Sequence, residues 1–432
     1  MARFVGIKNN FICIVSDKQF ANSNLQVLEV PEEFADIPST ELITNYIISN
    51  GQIKSKRSHK PASEIKLALI GNWKMECGIA TYADNLWAEV AKLVKDVKLF
   101  IEEQPAYTES IYKIGERILN EDQVVACWKR GTSLQALVGQ LKAYDPDIIW
   151  IQHEFGLFPN ARHWLSLMSQ LSNYRVIVTE HSVFYHKDKT ICEAAMPEIV
   201  THLQGGYDVL KLEKQIPGEV YVIPHGCSTS SYEKFWNLYK SDKTFIQFGF
   251  GFRYKGWENS IKATAILKEK YPDVFFTALF SESSYSKVEH QIYYNELITL
   301  IEQLGIQENI AILRGFQSDI TLDSFLRSNK ATIFPYISSP NHEVFGASGA
   351  ARLAMSKGLP VITTSVNHFS DIPSIKADSP EQMAAALELM FVSPKAKDAQ
   401  IKIQEAYLLE NAWEKIAARY IALFENDIFD KK

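Results

Sequence analysis

Five cysteines, Cys13, Cys77, Cys127, Cys192 and Cys227, stand far apart in the 432 residues, and no two form a CxxC pair. An odd, scattered set excludes a disulfide framework and a cysteine-built zinc site, and it fits a reducing cytoplasm, where the chain is expected. No apolar run is long enough to span a bilayer. Composition leaves peripheral membrane contact open. The first residues, MARFVGIKNNFICIV, lack a long apolar core followed by a small-residue cleavage site, so they predict no signal peptide. Lysine and arginine are scattered rather than clustered over the chain as a whole, and the net charge is -6. That removes the electrostatic footprint of a nucleic-acid binder.

What is present is an ordinary globular composition, 46% hydrophobic and 22% charged, in a chain long enough for two or three cores. Residues 1–60 read as a small β-rich appendage, with FVGIKNNFICIVSD and NLQVLEV as strands and the basic KSKRSHKPASE as a linker. From Lys66 a second pattern begins. KLALIG, VKLFIEE, DQVVACW, DIIWIQHE, RVIVTEHS and EVYVIPHG are strand candidates with helical stretches between most of them. Apolar positions Ile79, Tyr82, Leu86, Val90 and Leu93 keep helical spacing. The pattern pauses at SYEKFWNLYKSDK and restarts with TFIQFGF, VFFTALF, NIAILRG, ATIFPY and LPVITT. Continuous apolar strands separated by helices predict parallel sheets covered on both faces. The expected fold is α/β, two doubly wound Rossmann-like domains facing across a cleft, over residues 61–240 and 241–395. Residues 396–432 end in an amphipathic helix, AWEKIAARYIALFEN, expected to pack across the domain boundary.

In such sheets ligands gather beyond the carboxyl ends of the strands. That rule returns the loop NWKMECG, His153-Glu154, His181-Ser182 and His225-Gly226 in the first set. In the second it returns GFRYKG, Arg314-Gly315 and SSPNHEVFG. The loop Gly71–Gly78 is neither a Walker motif nor GxGxxG, and serves equally as an anion-binding helix start or a tight turn. Arg253 and Lys255, ahead of a helix, could hold a diphosphate, one as a fork and the other as a point charge; exposed basic loops are also common. His153, His181 and His225 come from different strands without close ligand spacing, which argues against a metal site. His225-Gly226 reads as a turn whose histidine bonds to backbone, and His181 as the better substrate contact.

Taken together these segments resemble the two-domain nucleotide-sugar glycosyltransferases of the GT-B fold, specifically the large retaining family numbered 4. KMECGIATYADNLW looks like its glycine loop and first helix, and IWIQHEFGLFP and VIVTEHSVF like its histidine-bearing strand ends. VYVIPHG is similar to the segment before the interdomain linker, FGFGFRYKGWENSIKA to the basic loop, and NHEVFGASGAARLAMSKGLPVI to the donor-binding loop and helix. The resemblance implies that Gly78 sits against the donor phosphates or the sugar. It also implies that His181 contacts the transferred sugar, Arg253 and Lys255 neutralise the departing diphosphate, and Glu343 hydrogen-bonds sugar hydroxyls. Gly346, Ser348 and Gly349 would bring a helix start to the diphosphate. The implied reaction is metal-independent transfer of a hexose-type unit with retention, with no cofactor and no Asp-x-Asp site. The donor would be a UDP- or GDP-type sugar, and the acceptor a glycan, protein or lipid-linked group.

The chain departs from that family at one point. The second glutamate of the paired motif, eight positions after the first, is Ala351 here. The segment resembles instead a subgroup in which Ser348, Gly349, Ala350 and Arg352 follow the glutamate. Which group meets the ribose is therefore open. A non-catalytic protein that binds sugars or nucleotide sugars and keeps the GT-B fold is the alternative reading. A sugar-nucleotide 2-epimerase and a phosphorylase share the layout.

Overall fold

The computed structural model describes residues 4–8, 11–16, 26–31, 46–49, 52–55, 60–104, 109–230, 239, 241–282, 286–338 and 343–425. The chain divides into two compact units, Met1–Glu64 with Ala422–Lys432, and Ile65–Ile421. In the first unit the expected β-rich appendage is a five-stranded antiparallel sheet. Its order is Gln26–Glu29, Phe4–Lys8, Phe11–Ser16, Tyr46–Ser49, Gln52–Ser55. Of the proposed linker KSKRSHKPASE, Lys54 and Ser55 close the strand Gln52–Ser55 and Ala62–Glu64 form a 3-10 turn, while residues 56–59 and most of SYEKFWNLYKSDK fall outside the described residues.

The second unit contains two parallel sheets. The first runs edge to edge through Val124–Trp128, Asp96–Glu102, Lys66–Gly71, Ile148–His153, Arg175–Glu180, Glu198–Thr201 and Glu219–Val222. The second runs through Ile310–Arg314, Phe275–Ser281, Thr244–Phe250, Ala331–Phe334, Val361–Thr363 and Ile375–Lys376. In each, the first strand in the chain lies in the interior and the order reverses beside it. That reversal is the doubly wound topology expected from the alternating pattern. Helices cover both faces, so every residue of Ile148–His153 is buried, and the strand reads as an apolar run, not as an alternation.

Two local expectations change. The helix that opens at Gly78 ends at Val90, and Leu93, which continues its spacing, lies beyond it at 47% exposure. Strand Glu198–Thr201 is fully buried in the first sheet although EIVT is too short and too acidic at its start to announce a strand. The closing helices divide their loyalties. Pro394–Glu410 carries Leu408 into the core of the second sheet. Trp413–Phe424 places Tyr420 against the first, where its hydroxyl meets Thr179 Oγ1 at 2.9 Å and the Tyr82 hydroxyl at 3.2 Å.

Candidate active site at the two switch points

The strand order of the second sheet reverses between Thr244–Phe250 and Ala331–Phe334, which places a crevice between the loops that follow these strands. The two loops touch through backbone. A Cβ on Gly256 would fall 1.9 Å from the Pro335 carbonyl oxygen, and Gly256 has φ 64°, so only glycine fits there. The Ile337 N–H donates to the Tyr254 carbonyl at 2.8 Å. Gln247, held by the Ser260 hydroxyl at 2.7 Å, donates to the Lys255 carbonyl at 2.9 Å. The turn that presents Lys255 is therefore fixed from below.

Lys255 Nζ donates to the Tyr336 hydroxyl and lies 3.9 Å from the centroid of that ring. The Ser348 hydroxyl faces the same Tyr336 oxygen, where it opposes the upward shift that burial gives the phenol. Burial lowers the Lys255 pKa, since a cation held out of water is less favoured, with Tyr254 opposing the shift. Behind it His368 is pushed down to about 3 by burial and by the Lys255 charge. Ser348 also caps the helix Gly349–Ser356, accepting from the Ala351 N–H at 3.3 Å. A helix start leaves its first N–H groups without intrahelical partners, a natural anion site. The predicted lysine and the predicted helix start thus meet at one phenol. Tyr336 was missed in the sequence although it follows strand ATIF at the position the strand-end rule inspects.

Arg253 is placed differently from Lys255. Its guanidinium makes a bidentate pair with Glu296 at 2.6 and 2.7 Å, with both side chains about half exposed. Ala351 is fully buried in the core beneath the helix, together with Ala354 and Met355. The buried charge on this helix is Arg352, 1% exposed, which pairs with Asp371 and bonds the Ser348 carbonyl at 3.0 Å and the Tyr407 hydroxyl at 2.9 Å.

The first sheet reverses between Lys66–Gly71 and Ile148–His153. Gly78 opens its helix with no atom within 4 Å of an added Cβ, so packing does not demand the glycine. The preceding loop is anchored by Trp73, buried, whose indole donates to the Ile111 carbonyl at 2.9 Å, and by Lys74, paired with Asp84 at 2.6 Å. His181 bonds Gln152 Oε1 at 2.9 Å through Nε2. It also stands with His202 and His225 around Tyr82, each ring centroid within 5.0 Å of the tyrosine. Burial holds all three imidazoles below their ordinary pKa, with His202 at about 4. His225 Nδ1 meets the Gly226 carbonyl at 2.6 Å, the backbone contact its His-Gly pair suggests. His153 is separate, stacked on Phe158 at 5.7 Å. His202 escaped the sequence reading because its strand did.

The chain does contain an Asp-x-Asp, Asp145-Pro146-Asp147, contrary to expectation. It lies at the amino end of the first sheet, where Asp147 accepts from the Lys66 N–H at 2.7 Å, away from the strand ends where ligands collect.

The loops bearing His181 and Glu343 are joined directly. Val183–Phe184 pairs antiparallel with Val344–Phe345, and the Tyr185 N–H donates to the Glu343 carbonyl at 3.1 Å. A Cβ on Gly346 would lie 2.9 Å from the His181 carbonyl, and one on Gly349 3.4 Å from His225 Nε2. Glu343 itself lines a cavity of about 370 Å³ with Tyr336, Ser338, Thr364, Asn367 and Asp378.

Two doubly wound sheets joined in this way, with their strand-end loops in contact, make the chain a GT-B protein. Its residues 229–403 match the family described as Glycosyl transferases group 1, a segment that contains both the Lys255 loop and the stretch from Glu343 to Ile362. Solved structures share the fold. HepE of Anabaena, in complex with UDP-glucose, is 13% identical, with a TM-score of 0.62 over 84% of this chain and 100% of its own. A glycosyltransferase from Rickettsia africae is 14% identical, with a TM-score of 0.62 over 85% and 100%. Trehalose-6-phosphate synthase OtsA is 12% identical, with a TM-score of 0.63 over 84% and 99%. No curated protein is detectably similar in sequence. Among the described residues no helix is long and apolar enough to cross a membrane.

Proposed function

We propose that the protein is a retaining glycosyltransferase that moves a hexose-type unit from a nucleoside-diphosphate sugar to an acceptor held by the first Rossmann-like domain. The observation that carries the reading is the meeting of Lys255, Tyr336 and Ser348 at the second switch point. A cation, a hydroxyl and a helix start converge there, and among the described residues no carboxylate forms an ion pair with Lys255.

In this reading Lys255 stabilises the negative charge that grows on the leaving diphosphate, which a half-buried cation does better than a solvated one. The N–H groups at the start of Gly349–Ser356 add fixed dipoles to the same oxygens. Glu343 accepts from donor-sugar hydroxyls, and His181, kept neutral by burial, offers an uncharged contact beside the anomeric carbon. The bond between that carbon and the diphosphate oxygen breaks, the acceptor oxygen bonds on the same face, and the acceptor proton passes to the departing diphosphate. The chain's residues hold and orient these groups without a resident cofactor. UDP-glucose in the HepE complex supports a uridine donor as the first to try.

The test is a panel of UDP-, GDP- and ADP-sugars, read by thermal shift and then by product analysis. A stabilising donor binds the folded chain selectively. Transfer with an unchanged anomeric configuration, lost in Lys255→Ala and Glu343→Ala while the fold persists, is the expected result. Binding without product over long incubation assigns the chain instead to the non-catalytic reading.

A further inference from the structure

From the contact between Phe345 and Gly205 we infer that the first domain positions the donor-site carboxylate, with Phe345 as the positioning residue. Three features of the structure lead there. Phe345 lies two residues after Glu343, in a segment of the second domain, yet its ring packs against the hydrophobic core of the first. The seat for that ring is Gly205, in the helix Gln204–Asp208, where an added Cβ would fall 2.4 Å from Phe345 Cε1 and 2.5 Å from Cδ1. The backbone around the ring is pinned on both sides, by the Val183–Phe184 pairing and the Tyr185 N–H before it, and by the close approach of Gly346 to the His181 carbonyl after it.

A two-residue strand pair contributes little by itself, since its few hydrogen bonds barely offset the ordering of the chain. An aromatic ring that leaves water for a core supplies the larger favourable term. The ring therefore holds the clasp shut, and the clasp fixes the carbonyl, and with it the backbone, of Glu343. The same elements carry His181 and Ser182, and the Ser182 hydroxyl opposes the upward shift that burial gives the Glu154 carboxyl at the first switch point. Seating of Phe345 thus sets the separation between the acceptor-side groups and Glu343. The positioning role rests on the glycosyltransferase reading; the contact itself does not.

Hydrogen exchange at the Tyr185 amide reads the clasp without reference to activity, because that amide donates across it. In Phe345→Ala and in Gly205→Ala the Tyr185 amide should exchange at least about tenfold faster, an opening that the lost contact permits. The pair should be coupled. Gly205→Ala should add no further loss to Phe345→Ala, since the ring it would strike is gone. With the donor identified above, kcat should fall by about a hundredfold in either single variant, as for a displaced catalytic group. Nucleoside-diphosphate affinity should stay near the native value, and Phe345→Leu should recover most of the rate. Unchanged Tyr185 exchange, or additive effects of the two substitutions, overturns the clasp whatever the activity. Released amides with an unchanged kcat overturn the positioning role. If the native chain transfers no sugar while the variants release the amide, the enzyme reading falls and the clasp stands.

Discussion

Lys255 and Tyr336 form the joint of the second switch point, an ammonium 3.9 Å from the ring centroid and bonded to the hydroxyl of the same side chain. They come from loops after two different strands, Thr244–Phe250 and Ala331–Phe334, which pair in parallel with Phe245 opposite Ala331. The sheet's register therefore decides that they meet. Tyr336 bonds the lysine and faces Ser348, so one phenol stands between a charge and a helix start.

Removing that hydroxyl while keeping the ring tests the joint. In Tyr336→Phe the cation–π contact persists and the charge-assisted hydrogen bond is lost, a loss worth about 1.5–3 kcal/mol for a bond to an ion. Transfer should slow by about tenfold or more, with the melting temperature lowered by about a few degrees. Lys255→Ala, which removes the charge itself, should cost about a hundredfold to a thousandfold in kcat. Steady-state rates on the identified donor give both numbers. Equal effects of the two substitutions would mean that the hydroxyl, not the charge, carries the interaction.

Arg253 is expected to matter much less than its neighbour. Its exposed, bidentate partner Glu296 already satisfies the fork, and exposed ion pairs stabilise little. Arg253→Ala should change kcat/KM for the donor by less than about threefold, the scale of a contact already spent on another carboxylate. A drop comparable with that of Lys255→Ala would show that donor binding pulls the arginine away from Glu296.

The contrast between these two cations shows what a single sequence reveals. The doubly wound fold was legible because buried parallel strands are continuous apolar runs and their helices keep a 3.6-residue spacing. Strand ends then located Lys255, His181 and Glu343. Pairing was not legible. Nothing in GFRYKG says that Arg253 turns to Glu296, 43 residues away, or that Lys255 turns to Tyr336. His202 was hidden because its strand is only four residues long. Phe345 read as one more apolar residue beside the glutamate, since its seat on Gly205 depends on how two domains meet.

The buried imidazoles predict a stability that falls in acid. His153 and His368 are held down to about 3, and His202 to about 4, chiefly by burial. Each is neutral in the fold, whereas the unfolded chain takes up its proton near pH 6.5. Above that pH neither state binds the proton, and stability is at its full value. Between 6.5 and the folded pKa the unfolded state binds more protons, so stability falls by up to about 1.4 kcal/mol per pH unit for each group. Urea midpoints measured from pH 7.5 to 5 should decline, and His202→Asn should make the slope shallower. A slope unchanged by that substitution would remove His202 from the account.

Arg352 and Asp371 should behave as a pair, buried at the arginine and about a quarter exposed at the aspartate, that tolerates loss of neither member. Asp371→Ala leaves the guanidinium, 1% exposed, without its carboxylate. Breaking a fully buried pair costs about 3–5 kcal/mol, and the partly exposed aspartate and the remaining Tyr407 bond bring the cost here to about the lower end of that range. Arg352 also bonds the Ser348 carbonyl, so the residual folded protein should show weaker nucleoside-diphosphate binding as well. Denaturant titration and calorimetry check the two effects separately. Loss of stability with intact binding would confine Arg352 to a structural role.

Introducing a glutamate at position 351 should fail, and the manner of failure is informative. The position has no accessible surface and lies in the core with Met355, Leu359 and Phe369. A carboxylate there would lack both water and a partner, and an unpaired buried charge costs several kcal/mol or forces protonation. Ala351→Glu should therefore lower the melting temperature sharply or abolish soluble expression, and it should not tighten nucleotide binding. Ala351→Gly supplies the control, since it opens a small cavity in the helix without introducing charge, at a cost of about 1 kcal/mol from helix propensity. If Ala351→Glu were instead well folded and bound nucleotide more tightly, the helix would have to rotate on its axis to bring position 351 to the cleft, which would carry Arg352 away from Asp371.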